Sequence, residues 1–314
     1  MPKVSVVIPT YNRADFICDA IESVLAQTYK DYEVIVVDDG STDNTREVLK
    51  KYGDRIKYIY QENKRQGAAR NTGIKNSTGE YIAFLDSDDT WLPHKLEKDV
   101  ACIESDSKIG LVYSNVVKVY SSTGKPLYEK TDTVKPTGDV LEQVVLRCFI
   151  SPGSNPLVRK ECFMKVGLFN ESRDVVEDYE MVVRIASEYH FGHVNEITTK
   201  YRVHKNNDSS NADFIRKAYI NGVDVVFHNE RLLPRILHLK NRAYSNAYIY
   251  VATRYFSVDI KEARANLLRA IKLYPKSILD RRFIYTFIRA LLGNKLYFTA
   301  RKIKRYIQKC PVDN

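Results

Sequence analysis

The sequence has no run of about 20 apolar residues, which is the length that a helix needs to cross a bilayer. The apolar stretch that follows Met1 is too short for the core of a signal peptide, and no cleavage pattern comes after it. The five cysteines are scattered, without the paired spacing of a zinc site or a disulfide scaffold. We therefore expect a cytoplasmic protein with reduced thiols and no membrane-spanning segment.

A glycine-rich phosphate loop is also missing. No Gly-x-Gly-x-x-Gly pattern follows the first two predicted strands, which disfavours a dinucleotide-binding Rossmann domain. A nucleotidyltransferase would need a Gly-rich loop with Lys or Arg directly after the first strand. Pro9, Thr10, Tyr11 and Asn12 stand there instead.

Acidic residues are scarce in the C-terminal part of the chain. Residues 231–314 carry 19 Lys and Arg against 4 Asp and Glu, whereas residues 1–230 carry 30 basic and 35 acidic side chains. The formal net charge of +10 thus arises in the C-terminal part alone. We expect no nucleic-acid partner, and a basic C-terminal part suits peripheral contact with the anionic inner face of a cell membrane.

What is present is a regular alternation of strand and helix patterns. The chain has 314 residues, 44% of them hydrophobic, so it can bury one large core and carry an appendage. Alternating strands and helices imply a mostly parallel sheet flanked by helices. The patterns predict strands over 4–8, 34–37, 56–60, 81–85 and 111–120, and helices over 14–27, 45–52, 67–76, 95–105 and 179–187.

Three carboxylates follow the fourth predicted strand in the stretch Phe-Leu-Asp-Ser-Asp-Asp. Asp86, Asp88 and Asp89 would lie at the carboxyl edge of the sheet, where open α/β sheets bind ligands and where oxygen ligands suit Mg²⁺ or Mn²⁺. Asp88 or Asp89 could instead cap a helix, because Pro93 suits a first helical turn. The cluster alone leaves the metal site and the helix cap both open.

Polar side chains end the first two strands as well. Tyr11 follows the first strand and could stack on a nucleobase. Asp38 and Asp39 end the second strand, where one carboxylate could accept a hydrogen bond from an imide N–H. The other could hold a ribose hydroxyl or cap the next helix.

Four motifs in this order resemble the family 2 glycosyltransferases, which are inverting, nucleotide-sugar-dependent enzymes of the GT-A fold. The resemblance covers about residues 3–210. The motifs are Val-Val-Ile-Pro-Thr-Tyr-Asn-Arg at 6–13, Val-Asp-Asp-Gly-Ser-Thr-Asp at 37–43, Gly-Ala-Ala-Arg-Asn-Thr-Gly at 67–73 and Phe-Leu-Asp-Ser-Asp-Asp at 84–89. The resemblance implies a GT-A domain over 1–230, with a nucleotide-sugar-binding half over 1–110 and an acceptor half over 111–230.

The resemblance assigns roles in the first half. Asp39 matches the carboxylate that reads the uracil N–H of a UDP-sugar donor, and Arg70 would neutralise the charge of the diphosphate. Asp86 would lie near the ribose and Asp88 would bind Mn²⁺ or Mg²⁺, which leaves Asp89 to start a helix. The nucleobase wall would comprise Pro9, Thr10 and Tyr11, and the ribose and diphosphate would lie along Gly67, Arg70 and Asn71.

The second half resembles the family's acceptor region. Asp178 matches the family's catalytic base, with Glu177 orienting it or the acceptor, although both could simply favour the N-terminus of a helix. An acceptor hydroxyl must lose a proton as it attacks, and a carboxylate can take it. His204, followed by Asn206, Asn207, Ser209 and Ser210, matches a histidine near the metal and diphosphate, and it could equally be a packing residue.

Residues 231–314 read as helical throughout. Ala263, Leu267, Ala270 and Pro275 match the second helix of a tetratricopeptide repeat, a match that helical periodicity alone also explains in part. The segment 281–309 is amphipathic and basic. It suits an interfacial membrane helix, a helix that packs on its own domain, or contacts within a homo-oligomer.

We therefore expect an inverting glycosyltransferase that moves sugar from a UDP-sugar to a hydroxyl of a glycan or lipid-linked acceptor in bacterial envelope or capsular polysaccharide synthesis. The alternative is a catalytically silent subunit that binds a nucleotide sugar or glycan within an assembly complex. The sugar, the acceptor and the linkage are not readable from the sequence.

Overall fold

The computed structural model describes residues 1–127, 135–150, 153–172, 174–204, 212–256 and 258–293. The chain divides into two compact units, residues 1–207 and residues 208–314. The sequence prediction drew its boundary at 230/231, after the first helix of the second unit. Of the residues quoted above, those at 206–210 and 294–309 lie outside the described ranges.

The first half of unit 1 is the predicted β-α alternation. Its elements are β1 (Val4–Thr10), α1 (Ile17–Leu25), β2 (Tyr32–Asp38), α2 (Thr45–Leu49), β3 (Lys57–Tyr60), α3 (Arg65–Lys75), β4 (Tyr81–Phe84), β5 (Thr90–Trp91) and α4 (Lys95–Glu104). β1 is buried along its whole length, as expected of a strand covered by helices on both faces. The strands β1, β2, β3 and β4 are parallel to one another, so their carboxyl ends lie at the same edge of the sheet.

The second half of unit 1 continues the same sheet with longer strands. Its elements are β6 (Ile109–Tyr120), α5 (Leu141–Leu146), β7 (Leu157–Arg159), α6 (Lys160–Val166), α7 (Glu177–Ala186) and β8 (His190–Val203). β8 spans 14 residues that the sequence pattern did not identify as a strand. It pairs with β6 through a ladder interrupted by register shifts, so its side chains do not alternate regularly.

The eight strands of this sheet are ordered β3-β2-β1-β4-β7-β6-β8-β5. The pairs of β1 with β2 and β4, of β2 with β3, and of β6 with β8 are parallel. β7 is antiparallel to both neighbours, and β5 is antiparallel to β8. The predicted α/β fold with a mostly parallel sheet flanked by helices is confirmed.

The main core of unit 1 packs α1 and α4 against one face of the sheet. Val6, Ile8, Ile21, Val36 and Leu96 are buried there together with the other apolar side chains of this cluster. At about 25 cal/mol for each Å² of apolar surface removed from water, such a core dominates the stability of the domain. The strand ends at the edge of the sheet are thus held on a rigid scaffold.

Unit 2 is helical in its described residues, as the sequence predicted. It contains α8 (Ala212–His228), α9 (Leu233–Ile236), α10 (Lys240–Tyr255) and α11 (Ile260–Leu273), followed by helical residues 281–293. Ala263, Leu267 and Ala270 are buried in its core beside residues of α10. Within the described ranges, none of the helices has both the length and the apolar character that a membrane span requires.

Candidate active site

The loop after β1 is joined to the loop after β2 by one asparagine. Asn12 has a positive φ of 51°, which Asn tolerates better than most residues. Its Oδ1 accepts hydrogen bonds from the backbone N–H of Thr42 at 2.7 Å and of Asp43 at 3.3 Å. Pro9 and Thr10 are buried, whereas Tyr11 is 45% exposed. The Tyr11 ring is therefore accessible at the edge of the sheet.

The two carboxylates that end β2 have different surroundings. Asp38 accepts hydrogen bonds from the Tyr58 hydroxyl at 2.8 Å and from the Ser41 N–H at 2.9 Å. Asp39 accepts from the side chain of Gln61 at 2.6 Å and from the N–H groups of residues 64 and 65, at the start of α3. A carboxylate has about four acceptor positions, so Asp39 retains one for a further donor.

Three predicted donor-site residues on α3 face the acceptor half. A Cβ added to Gly67 would lie 2.7 Å from the Asn170 carbonyl oxygen, so only glycine allows this approach. Asn71 donates to the Phe169 carbonyl at 3.0 Å and accepts from the Phe169 N–H at 2.9 Å. The Arg70 side chain also faces the acceptor half, because residues that are three or four positions apart lie on the same face of a helix. The structure thus places Gly67, Arg70 and Asn71 between the two halves.

Asp86 follows β4 and is hydrogen-bonded to side chains of α3 and to Ser154. Its Oδ1 accepts from Gln66 Nε2 and from Arg70 Nη2, each at 2.9 Å. Its backbone N–H donates to the Ser154 hydroxyl at 3.0 Å. Sequence reasoning missed Gln66 and Ser154. Gln66 directly precedes a recognised motif, whereas Ser154 lies in a stretch without any local signal.

Asp88 and His204 form a pair at the same edge. Asp88 Oδ2 lies 2.9 Å from His204 Nε2 and 3.5 Å from Arg13 Nε. Burial raises the pKa of Asp88, and the nearby Asp86 charge adds to the shift. The His204 ring stacks on Phe16 with ring centroids 4.8 Å apart. The two predicted metal ligands therefore lie within hydrogen-bond distance of each other.

A full set of protein ligands for a metal is not assembled. No three His, Cys, Asp or Glu side chains within the described ranges form a group that could hold an ion by themselves. Mg²⁺ and similar hard ions are often held by one or two carboxylates together with substrate phosphates and water. The pair of Asp88 and His204 fits such a shared site.

Asp89 does not start the helix, contrary to the sequence expectation. It is 1% exposed, accepts from the Ser154 hydroxyl at 2.5 Å, and accepts from the Arg202 N–H at 2.9 Å. The chain forms the short strand β5 directly after it, and α4 begins only at Lys95. Asp89 therefore links the loop after β4 to the end of β8.

The carboxylates of Glu177 and Asp178 lie at the N-terminus of α7. Glu177 Oε1 accepts from Arg70 Nη1 at 2.8 Å, and Asp178 Oδ1 accepts from the Tyr179 N–H at 2.7 Å. Burial raises the pKa of Asp178, and the positive charge of Arg70 opposes that shift. The pKa of Glu177 is raised for the same reason and is likewise opposed by Arg70.

A small cavity of about 30 Å³ lies beside Asp178. Arg70 and Asp178 form the charged part of its wall. The remaining wall is mostly apolar and includes Phe84, Leu111, Phe163, Phe169, Met181 and Val182. A carboxylate at the border of an apolar cavity is poorly hydrated, which makes it a stronger base than one in water.

The sheet order and the carboxylates at its edge are typical of α/β folds that bind a ligand at the carboxyl ends of their strands. Residues 5–167, about half of the chain, match the profile of glycosyl transferase family 2. The Escherichia coli protein named UDP-Glc:alpha-D-GlcNAc-diphosphoundecaprenol beta-1,3-glucosyltransferase WfgD is 33% identical over 83% of this chain and 98% of its own. The chain belongs to glycosyl transferase family 2, as the motifs predicted.

Other relatives agree with this assignment. An uncharacterized glycosyltransferase of Rickettsia typhi is 39% identical over 65% of this chain and 64% of its own. The first curated relatives, all from Rickettsia, are matched over 64% of their length or less. The mannosyltransferase PcManGT of Pyrobaculum calidifontis, solved with GDP-Man and Mn²⁺, has a TM-score of 0.55 at 20% identity over 98% of this chain and 88% of its own. That likeness shows a shared fold.

Proposed function

We propose that the chain is an inverting glycosyltransferase that moves a sugar from a UDP-sugar to a hydroxyl of a lipid-linked glycan acceptor. The observation that carries this proposal is the position of Asp178. It lies at a cavity beside Arg70, which also bonds Asp86 at the donor edge of the sheet. The relative WfgD, named for a UDP-Glc donor and a diphosphoundecaprenol-linked acceptor, supports the choice of substrates.

The donor would bind across the ends of β1, β2 and β4. The exposed ring of Tyr11 can stack on the base, with Pro9 and Thr10 behind it. Asp39, with one acceptor position left, can read an imide N–H. Asp86 can accept from a ribose hydroxyl with its second oxygen. These contacts favour uridine, because its imide N–H is a donor that complements a carboxylate.

Asp88 and His204 would hold Mn²⁺ or Mg²⁺, with the diphosphate completing the coordination. A carboxylate oxygen suits either ion. When bound, the ion offsets the charge that builds on the departing diphosphate. Arg13, 3.5 Å from Asp88, would keep that carboxylate ionised and aimed at the edge of the sheet.

Asp178 would act as the general base. It would take the proton of the acceptor hydroxyl while the oxygen attacks the anomeric carbon from the side opposite the diphosphate. The new glycosidic bond forms as the bond to the diphosphate breaks, so the configuration inverts. An α-linked donor would give a β-linked product.

The site of action we propose is the inner face of a bacterial membrane, in envelope or capsular polysaccharide synthesis. Among helical residues 281–293, several apolar side chains spaced along one face are exposed, and unit 2 is rich in Lys and Arg. An apolar helix face flanked by basic residues is typical of peripheral attachment to anionic lipids.

Asp178→Asn tests the proposal. The substitution keeps shape and polarity but cannot accept a proton, so we expect UDP-sugar binding to persist while transfer to a diphosphoundecaprenol-linked sugar is lost. UDP release and product formation would be measured with Mn²⁺ over a panel of donors. Unchanged transfer by the variant would remove Asp178 from the mechanism. Donor binding without turnover by the wild type would favour the silent binding subunit.

A further inference from the structure

Arg70 lies at the centre of a carboxylate cluster and has almost no contact with solvent. Its side chain is 2% exposed. Nη2 donates to Asp86 Oδ1 at 2.9 Å and Nη1 donates to Glu177 Oε1 at 2.8 Å. Asp86 belongs to the edge of the sheet proposed to bind the donor, and Glu177 precedes the candidate base. One guanidinium group therefore bridges the two sides of the site.

The guanidinium is tightly enclosed. The Phe169 ring lies below it, with its centroid 5.6 Å from the Arg70 Cζ, and a Cβ added to Gly153 would lie 2.0 Å from Nη2. Arg70 Nε is buried without an acceptor among the described residues. A buried ion pair with an unsatisfied donor is a poor source of stability compared with apolar packing. Stability alone therefore does not explain why these charges are buried together, whereas a functional role would.

The charges around Asp178 suggest that reason. Arg70 on α3 is the cation that acts on it, while Glu177 and Asp86 are anionic neighbours. The thiol of Cys148, which also lines the cavity, has a pKa raised by burial to about 12 and is therefore neutral. Without the guanidinium, the carboxylates would repel one another at the border of an apolar cavity.

We propose that Arg70 is a positioning residue that ties Asp86 on the donor side to Glu177 on the acceptor side and provides the positive charge beside the candidate base Asp178. The sequence resemblance had assigned Arg70 to the donor diphosphate, but the structure turns its terminal nitrogens to these two carboxylates. The inference rests on the proposed function, because the role of Asp178 as the base is itself a proposal.

Three variants separate the charge of Arg70 from its geometry. The acid limb is the part of the pH profile in which kcat rises as Asp178 ionises. Arg70→Met removes the charge, so the acid limb should move up by a pH unit or more, with about tenfold lower activity on that limb. Glu177→Gln removes a neighbouring anion, so the limb should move down. Arg70→Lys keeps the charge but loses the fork that spans two carboxylates, so kcat should fall at every pH while the limb stays near that of the wild type.

Arg184→Met is the matched control. Arg184 is a largely buried arginine on α7 that pairs with Glu180 and donates to the carbonyls of residues 166–168, so its loss also removes a bonded, buried cation, but one that does not bond Asp86 or Glu177. The control should lower the unfolding temperature and leave the acid limb in place. Loss of activity in Arg70→Met without a shift of the limb, or with a shift equal to that of the control, would overturn the proposal.

A second measurement needs no substrate. It subtracts the free energy of unfolding of Asp178→Asn from that of the wild type. This value should become more negative as pH rises from the unfolded pKa of Asp178 to its raised folded pKa. When both proteins also carry Arg70→Met, this window should extend to higher pH. An unchanged window would refute the role of Arg70 even in a protein that transfers no sugar. Absence of transfer together with a displaced window would refute only the proposed function.

Discussion

Asp88 Oδ2 lies 2.9 Å from His204 Nε2, although 116 residues separate the two in the chain. The pair is assembled because β4 and β8 belong to one sheet, with Asp89 bonded to the Arg202 N–H two residues before the histidine. Either residue alone would be an ordinary surface or packing residue. Together at the edge of the sheet, they offer an oxygen and a nitrogen to a divalent ion.

We predict that Asp88→Asn and His204→Ala each weaken metal-dependent binding of UDP. In the wild type, Mn²⁺ with UDP at a hundredfold excess over the dissociation constant should stabilise the fold by about 2.7 kcal/mol. Each variant should lose most of this gain, which thermal unfolding with and without a chelator would measure. His94→Ala is the control, because that ring is exposed and pairs with Glu97. An equal gain in all three variants would refute the assigned ligands.

The raised pKa of Asp178 predicts the pH dependence of transfer. A general base must be ionised, so kcat should rise with pH through the folded pKa of Asp178, which burial raises above the usual range near 3.8. Asp88 also titrates and would affect kcat through the metal ion, so kcat must be measured with saturating Mn²⁺ and donor from acidic to mildly alkaline pH. A kcat that is flat across this range would contradict the assignment.

The same shift has a consequence for stability. A carboxyl whose folded pKa is raised stabilises the fold fully below its unfolded pKa, and that contribution is lost as pH rises through the folded pKa. Asp178→Asn removes the buried charge, so the variant should unfold at a higher temperature than the wild type near neutral pH. The difference should vanish toward acidic pH.

The fold was predictable where periodicity is local. The strands that end at Thr10, Asp38 and Phe84 are mostly apolar runs followed by polar residues, so their positions follow from the sequence. β8 was not recognised, because its ladder with β6 is broken by register shifts and mixes polar and apolar residues. Its existence depends on pairing with a strand about 80 residues earlier, which no local pattern reveals.

The location of the candidate site residues could be predicted from the sequence, whereas the hydrogen bonds that each of them makes could not. Asp39, Asp86, Asp88, Asp178 and His204 lie at the edge of the sheet or beside the cavity, because strand ends meet there. Which hydrogen bond each one makes depends on tertiary contacts. Ser154, for example, bonds both Asp86 and Asp89 from a segment without regular structure.

We predict that Asn71→Ala destabilises the fold, because Asn71 joins α3 to the backbone of Phe169. The change leaves the Phe169 N–H and carbonyl without their partner, and unsatisfied buried groups cost about 1–3 kcal/mol each. The free energy of unfolding should fall by about 3 kcal/mol in denaturant titrations. Asn76→Ala is the control, because Asn76 follows the last residue of the same helix and its side chain donates to the Thr72 carbonyl within that helix. Equal losses in both variants would contradict this account of Asn71.

The apolar face within helical residues 281–293 leads to a prediction about membranes. Ile284, Phe287, Ile288 and Leu291 have the spacing of one helix face and are 39% to 58% exposed. The full chain should sediment with vesicles of phosphatidylglycerol and phosphatidylcholine more strongly than with phosphatidylcholine alone. The difference should decline as salt is added, because the basic residues of unit 2 attract anionic headgroups.

Phe287→Ser combined with Leu291→Ser tests whether that face enters the lipid. Burying each side chain is worth about 1.5 kcal/mol or more, so the double variant should bind vesicles about a hundredfold more weakly. Met164→Ser is the control, because Met164 is 83% exposed in unit 1 and lies outside the helical face. Undiminished binding by the double variant would leave charge alone as the source of attachment. Failure of the wild type to bind anionic vesicles would argue instead for a protein partner of this face.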